Sequence, residues 1–404
     1  MSGSLPYPPP RLVFFETTAV CNLHCQHCRR PASAGTVSYQ DLSTEEAKRL
    51  VDEVASWGRR VLILSGGEPL LRPDIYVLAS RASASGLIVG LATNATLIDG
   101  QVAQLIKKSG INRVSVSLDG ADAATHDAFR RATGSFAAAL AGIGALREAG
   151  VPLQINVTVA KHNVHQLNEM VLLAKEIGAE ALHLFLLVPV GCGLEIADEQ
   201  MISAQAYEET LNWLYETELR EDQLELRATC APHYFRIVRQ RGAPVRHGCE
   251  GNIVPSLARQ LGVATSDEPG LRAEGHLQHS ERDECVAGPL PEFQAATRGC
   301  LAGTGVCFVS HEGKVFGCGY LPIEAGDFRR ESLMDIWRSS PLFTKLRDLK
   351  ALKGKCGRCS FKTVCGGCRA RAYGVTGDYL AEEPFCIYQP PKSTPAESTP
   401  VRKM

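Results

Sequence analysis

Apolar positions fall into a repeating order along the first half of the chain. Short runs rich in β-branched residues occur at Leu12–Glu16, Val61–Ser65, Ile88–Ala92, Arg113–Leu118, Leu153–Val159 and Leu182–Val188. Between them lie longer stretches with helical spacing: Ser43–Trp57, Asp74–Ser85, Asp99–Lys108, Ser135–Ala149 and Asn163–Ile177. Ser43 followed by Glu46 has the form of a capping box, which satisfies N–H groups at a helix start. Gly86, Gly110, Gly150 and Gly178 stand where helices must stop. This alternation predicts an α/β fold with a parallel sheet covered by helices. Six strand–helix units are too few to close an eight-stranded barrel. The expectation is therefore a partial (β/α)6 TIM-like barrel over 11–200, with reactive groups at the C-terminal strand ends.

Beyond residue 200 the pattern changes. Ser203–Arg241 reads as helices, with Tyr207, Leu211, Leu214 and Tyr215 on one face. The stretch 247–298 is polar, Gly-rich and weakly periodic, as in a long loop. A bridging region over 201–295 thus leads to a cysteine-rich module over 296–388. The last segment, 389–404, carries Pro, Ser, Thr and charges without a core and is expected to be a disordered tail. The first ten residues form a Pro-rich extension without a signal-peptide pattern, so the cytoplasm is the default compartment.

Charge and hydropathy narrow the partners. Net charge is -1, which removes the electrostatic reason to expect nucleic acid or an anionic membrane. No apolar run reaches the roughly 18 residues of a membrane span. The most apolar stretch, 181–190, is interrupted by His183 and Pro189 and reads as a buried strand.

The 15 cysteines are unevenly spread. In a chain of this size, clustered cysteines point to metal or redox chemistry before disulfides. Cys21, Cys25 and Cys28 follow the first strand with C-x3-C-x2-C spacing. Three thiolates on one loop can hold three irons of a [4Fe–4S] cluster and leave the fourth iron open to a small bidentate molecule. Zinc is the competing occupant, with His24 or His27 as fourth ligand. Gly66-Gly67-Glu68-Pro69 follows the second strand, where two glycines let backbone approach a ligand and Glu68 can accept from an ammonium group. Thr93 and Asn94 end the third strand, Ser117 and Asp119 the fourth, and Asn156 lies in the fifth. These polar groups suit ribose or carboxylate, and equally suit helix caps and turns.

The three-cysteine loop, the GGEP turn and the β–α order over roughly 11–190 resemble the radical S-adenosylmethionine (SAM) superfamily. That resemblance implies a cluster on Cys21, Cys25 and Cys28 that reduces SAM to a hydrogen-abstracting 5′-deoxyadenosyl radical. It implies SAM contacts at His27, Gly66, Gly67, Glu68, Pro69, Thr93, Asn94, Ser117, Asp119 and Asn156, and an electron donor such as flavodoxin or ferredoxin. Many members carry Tyr or Phe before the third cysteine, where this chain has His27.

The C-terminal cysteines run Cys300-x6-Cys307, Gly313-x4-Cys318, then Cys356-x2-Cys359-x5-Cys365-x2-Cys368 and Cys386. Spacing alone admits structural zinc as well as iron–sulfur clusters. The pattern is similar to the SPASM extension of radical SAM enzymes, which carries one or two auxiliary [4Fe–4S] clusters. That likeness implies one cluster on Cys300, Cys307, Cys318 and Cys368 and another on Cys356, Cys359, Cys365 and Cys386. The step from Cys365 to Cys368 is one residue shorter than usual.

Two further segments narrow the substrate class: Ala228-Thr229-Cys230-Ala231-Pro232-His233-Tyr234-Phe235-Arg236, and Thr297–Cys307 continuing to Cys318-Gly319-Tyr320-Leu321-Pro322. Together they resemble the haem synthases of the sirohaem-dependent haem pathway, which decarboxylate two propionates of iron-coproporphyrin III to vinyl groups. The didecarboxysirohaem deacetylases and haem d1 enzymes share the framework. On this likeness Arg236 and Arg298 are candidates for substrate carboxylates, and Cys230, His233 and Tyr234 for the tetrapyrrole. His233 reads equally as a capping or core residue. Cys192, Cys249 and Cys285 read as spare thiols. The rivals are a peptide-modifying SPASM enzyme, for which the short Pro-rich start leaves no winged helix, and a non-catalytic electron carrier or zinc scaffold.

Overall fold

A computed structural model describes residues 7–30, 40–241 and 299–391. Six strands form where the alternation predicts them: β1 (Leu12–Glu16), β2 (Val61–Ser65), β3 (Ile88–Thr93), β4 (Arg113–Ser117), β5 (Leu153–Val159) and β6 (Ala181–Leu186). They pair in sequence order, all parallel. Two more strands join this parallel run. β7 (Glu225–Thr229), inside the stretch read as helical, pairs with β6. β8 (Val306–Val309), from the cysteine module, pairs with β1. The antiparallel β9 (Lys314–Phe316) and β10 (Glu324–Asp327) extend the same edge, giving the order β10-β9-β8-β1-β2-β3-β4-β5-β6-β7. The expected partial barrel is present, with a strand added at each end.

Register sorts the side chains into two faces. Val13, Leu62, Val89, Val114, Ile155, Leu182 and Leu226 lie in one aligned set and are all buried. The other set holds Glu16, Ser65, Ser115, Ser117, Asn156, Thr158, His183 and Arg227. The first face packs under helices. The second is the polar inner face of the partial barrel.

Six helices cover the sheet, α1 (Thr44–Ser56), α2 (Ile75–Ala84), α3 (Gly100–Lys108), α4 (Ala123–Arg130), α5 (Ser135–Glu148) and α6 (Leu167–Glu176), and all but α4 fall within predicted stretches. Both arms of the Ser43–Glu46 capping box are formed. Gly86, Gly110, Gly150 and Gly178 adopt φ of 83°, 78°, 68° and 74° after their helices. α4 is the unexpected one. Its buried residues are His126, Phe129 and Arg130, so it lacks an apolar stripe to read. Short α7 (Cys192–Glu195) and α8 (Ala197–Gln200) precede α9 (Ala204–Arg220), and α10 (Tyr234–Arg241) follows β7. The cysteine module adds α11 (Leu333–Ser339), α12 (Pro341–Arg347), α13 (Gly354–Arg358) and α14 (Arg369–Thr376).

Contacts group 1–237 with 298–404 in one compact unit and 238–297 in another. Barrel and cysteine module thus share a unit. The expected loop over 247–298 and the tail from 392 lie outside the described residues. Among the described residues no helix is long and apolar enough to cross a membrane.

Candidate active site

The three-cysteine loop leaves β1 alongside the GGEP turn. Gly67 N donates to Thr18 O at 2.8 Å and Glu68 N to Val20 O at 2.7 Å. A Cβ on Gly67 would stand 2.3 Å from the Val20 carbonyl oxygen, and one on Gly66 2.9 Å from that of Thr18. The glycines are therefore required by two backbone segments packed edge to edge. Glu68 is fully buried. It accepts from Thr93 Oγ1 at 2.7 Å, Asn94 N at 2.8 Å and Leu70 N at 3.2 Å. Burial pushes its carboxyl pKa up, against those donors. Pro69, itself buried, starts a 3-10 turn. Asn94 Nδ2 donates to Asn22 Oδ1 at 2.8 Å. Glu68, Thr93 and Asn94 thus tie the ends of β2 and β3 to the cysteine loop.

α4 holds the loop from the other side. Gln26 N donates to Phe129 O at 3.0 Å, and Gln26 Nε2 to Ala128 O at 2.8 Å. His27 stacks on Phe129 with centroids 4.2 Å apart, and His162 stacks on Phe129 at 3.7 Å. Arg130 Nη1 donates to Cys25 Sγ at 3.5 Å, while its Nη2 lies 2.5 Å from Asp119 Oδ2. Asp119 Oδ2 is also 3.3 Å from His27 Nε2, and its Oδ1 accepts from Thr158 N at 2.7 Å. Burial alone would raise the Asp119 carboxyl, but Arg130 and His27 hold it well below the usual range. Burial pushes the His27 imidazole down to about 3, against the pull of Asp119. Asp119 is therefore an anchor beneath the loop. Ser117 and Asn156 are register partners on the inner face. The sequence reading missed Gln26, Phe129, Arg130 and His162. Phe129 and Arg130 sit on a helix without an apolar stripe, and no local pattern marked Gln26 or His162.

Burial, with Cys25, Glu68 and Cys28 nearby, pushes the Cys21 thiol up to about 11. Burial raises Cys25 too, eased by Arg130. Buried neighbouring thiols ionise when positive charge is bound among them, which suits an iron cluster.

In the cysteine module, Cys356, Cys359, Cys365 and Cys386 line one cavity. His233 and Arg236 line it as well. His233 is fully buried and stacks on Tyr207 at 4.5 Å; no described residue pairs with either ring nitrogen. A cluster sulfide or thiolate in the cavity would give it a partner. Arg236 pairs with Glu208 and lies 5.4 Å from the Tyr388 ring, and Tyr234 Oη donates to Glu218. These contacts hold His233, Tyr234 and Arg236 in place beside the module. Arg298 lies outside the described residues.

Of the expected group Cys300, Cys307, Cys318 and Cys368, one member stands on the sheet itself. Cys307 is fully buried on β8, in register with Val13. Strand alternation turns it toward the helix layer. Cys230, expected at the tetrapyrrole, has the thiols of Cys368, Cys318 and Cys300 among its charged neighbours.

An open cluster loop at the strand ends and a second cysteine-lined site define a class: a radical SAM enzyme with an auxiliary iron–sulfur module. Residues 15–174 match the radical SAM superfamily, and residues 300–360 match SPASM, an iron–sulfur cluster-binding domain. The chain is 48% identical to an AdoMet-dependent heme synthase of Methanosarcina barkeri, over 95% of this chain and 98% of the relative. It is 43% identical to one of Nitratidesulfovibrio vulgaris, over 96% and 95%. The solved structure of Streptococcus suis SuiB bound to S-adenosylmethionine shares the fold, with TM-score 0.67 at 16% identity over 94% of this chain and 78% of that one. The chain belongs to the radical SAM superfamily and, within it, to the family of these AdoMet-dependent heme synthases. Its cofactors are [4Fe–4S] clusters and SAM.

Proposed function

We propose that this enzyme converts iron-coproporphyrin III to haem b by oxidative decarboxylation of two propionates. The near-full-length likeness to heme synthases carries the reading, since the aligned length takes in both the loop and the module. When bound, the cluster and SAM supply hydrogen abstraction from an unactivated carbon. Each propionate, R–CH2–CH2–COO⁻, then yields R–CH=CH2, CO2, one hydrogen atom and one electron. The hydrogen leaves in 5′-deoxyadenosine and the electron goes to the auxiliary site. Around these events the protein positions groups. Arg130, fixed by Asp119, holds Cys25 in place, and Asn22 and Gln26 hold the loop at both ends. The polar inner face, with Ser117 and Asn156, faces the reacting partners. Flavodoxin or ferredoxin supplies the reducing electron. The reducing cytoplasm is the fitting compartment for so many unpaired thiols.

Anaerobic turnover with dithionite, SAM and iron-coproporphyrin III should give 5′-deoxyadenosine. Mass spectrometry should show two successive losses of CO2 plus two hydrogens. An unchanged porphyrin, with acetate released from didecarboxysirohaem, would overturn the decarboxylase reading in favour of a deacetylase.

A further inference from the structure

His233 is fully buried, and no described residue pairs with its Nδ1 or its Nε2. Stacking on Tyr207 at 4.5 Å accounts for the ring but not for the nitrogens. Phenylalanine would stack there without the cost of about 1–3 kcal/mol that an unsatisfied buried polar group carries. An imidazole keeps at least one N–H in either protonation state. His233 lines the same cavity as Cys356, Cys359, Cys365 and Cys386.

We propose that His233 donates this N–H to the auxiliary [4Fe–4S] cluster on those four thiols, and so sets the potential at which the cluster accepts the substrate's electron. The reduced cluster carries one more negative charge than the oxidised one, and hydrogen bonds to its sulfurs favour that state. His233 acts through the cluster and touches no reacting atom, so it is a positioning residue. The turn that carries it is held on both sides. Tyr207 Oη donates to Cys230 O at 3.1 Å while its ring stacks on His233, so one side chain fixes both ends of the turn 230–233. Tyr207 also stacks on Phe385, the residue before Cys386, with centroids 6.2 Å apart. The turn meets Gly299 as well, where a Cβ would stand 2.7 Å from Pro232 Cβ and 2.8 Å from Cys365 O. Gly299 N donates in turn to Val364 O at 2.6 Å. A turn of the barrel is thereby clamped to the segments that carry Cys365 and Cys386.

The rest of the lining suits an anionic cluster. Arg236, Lys355 and Lys362 line the cavity. Glu383, the carboxylate among the lining residues, accepts from Cys368 N at 2.8 Å and lies 3.5 Å from Arg371, which offsets it. Glu383 N donates to Cys356 Sγ at 3.3 Å and Gly367 N to Cys365 Sγ at 3.4 Å. The module thus supplies backbone donors to two of the thiols, and His233 adds a side-chain donor from the barrel. A side chain can be exchanged without altering the module's backbone, which makes its contribution measurable.

The role of His233 rests on the reading that these four thiols hold the auxiliary cluster, and the two fail separately. The full-length chain carrying C21A, C25A and C28A, reconstituted anaerobically, leaves auxiliary iron alone in the electron paramagnetic resonance spectrum. Adding C359A and C386A should remove that signal. A signal that survives both would sink the ligand reading and the role of His233 with it. Adding H233F instead should keep iron and sulfide content, while redox titration should find the reduction equilibrium about tenfold less favourable, about 59 mV for one electron. Glutamine and asparagine carry an amide N–H of similar reach, so H233Q or H233N should recover most of that shift. A wild-type potential in H233F, or equal shifts in all three variants, would overturn the role of His233 alone. The background chain with isotopically labelled histidine nitrogens guards against a variant that fails to take up iron. Electron–nuclear double resonance should show weak nitrogen coupling to the reduced cluster, as through a hydrogen bond. No coupling, or the strong coupling of a directly bound nitrogen, would overturn the proposal. H233F should also bind iron-coproporphyrin III as the parent chain does. Lost affinity at an unchanged potential would make His233 a substrate ligand, and the proposal would fail.

Discussion

Side chains around the cluster loop work as anchors, and their protonation follows from that. His126 is buried, and its Nδ1 accepts from Asp119 N at 3.1 Å, so the fold needs the neutral ring. Burial, with Arg130 nearby, pushes its pKa down to about 4. An unfolded histidine titrates near 6.5. As pH falls from about 6.5 toward 4, the unfolded chain takes up the proton first, so stability falls across that window and is fully present above it. The loss approaches on the order of 3 kcal/mol at its acid end. Anaerobic urea midpoints measured from pH 7.5 to 5 should decline, and H126Q should decline less steeply. Identical slopes would refute the assignment. Glu68 makes a second case. Glutamine there would set an amide N–H against a backbone N–H at either oxygen position. E68Q should lower stability by about 1–3 kcal/mol and, by releasing Asn94 from Asn22, slow 5′-deoxyadenosine formation about tenfold or more. Urea midpoints and single-turnover chromatography would measure both effects.

Between elements, the decisive contact is the passage of the GGEP turn beside the segment entering Cys21. G67A would drive a methyl group into the Val20 carbonyl, and the loop would have to move. Displacement of about 1 Å at a reacting centre can reduce rate about a hundredfold, so 5′-deoxyadenosine formation should fall between about tenfold and a hundredfold. G58A is the control. Gly58 has φ 84° but open space where a Cβ would go, so it should lower stability by about 1 kcal/mol and leave the rate alone. Equal rates for the two variants would contradict the close-packing account. The same scale explains what was legible in the sequence. β1 to β6 and their helices were readable because each strand's buried set and each helix's stripe are local patterns. β7 and β8 were not, since Glu225–Thr229 and Val306–Val309 are short and become strands by pairing with distant β6 and β1. α4 was hidden by a buried face of His126, Phe129 and Arg130. The motif spacing located the cysteines, but it could not assign Cys307 to a face. That depends on its register against Val13, which no local pattern encodes.

Across the whole molecule, the cysteine module is joined to the barrel by the β1–β8 ladder and by buried polar bonds. Arg371 is the most committed of them. Its Nη2 donates to Leu186 O at 2.9 Å, its Nε to Leu187 O at 3.3 Å, and its Nη1 lies 3.5 Å from Glu383. Glu383 in turn accepts from Cys368 N at 2.8 Å and donates its own N–H to Cys356 Sγ at 3.3 Å. One guanidinium therefore connects the C-terminal end of β6 to both groups of auxiliary cysteines. Methionine matches it roughly in length but leaves two carbonyls and a buried carboxylate without their donor. R371M should destabilise by about 3–5 kcal/mol, the usual effect of removing one partner from a buried ion pair. Lysine keeps the charge but lacks the planar fork, so R371K should fall between. The loss should also be uneven. The module should release auxiliary iron and become sensitive to limited proteolysis before the cluster loop loses its own iron, because the loop is held by Asp119, Arg130 and Gln26 on the barrel side. Simultaneous loss of all iron at a single denaturant concentration would instead show that barrel and module unfold as one cooperative body, with Arg371 as one contact among many.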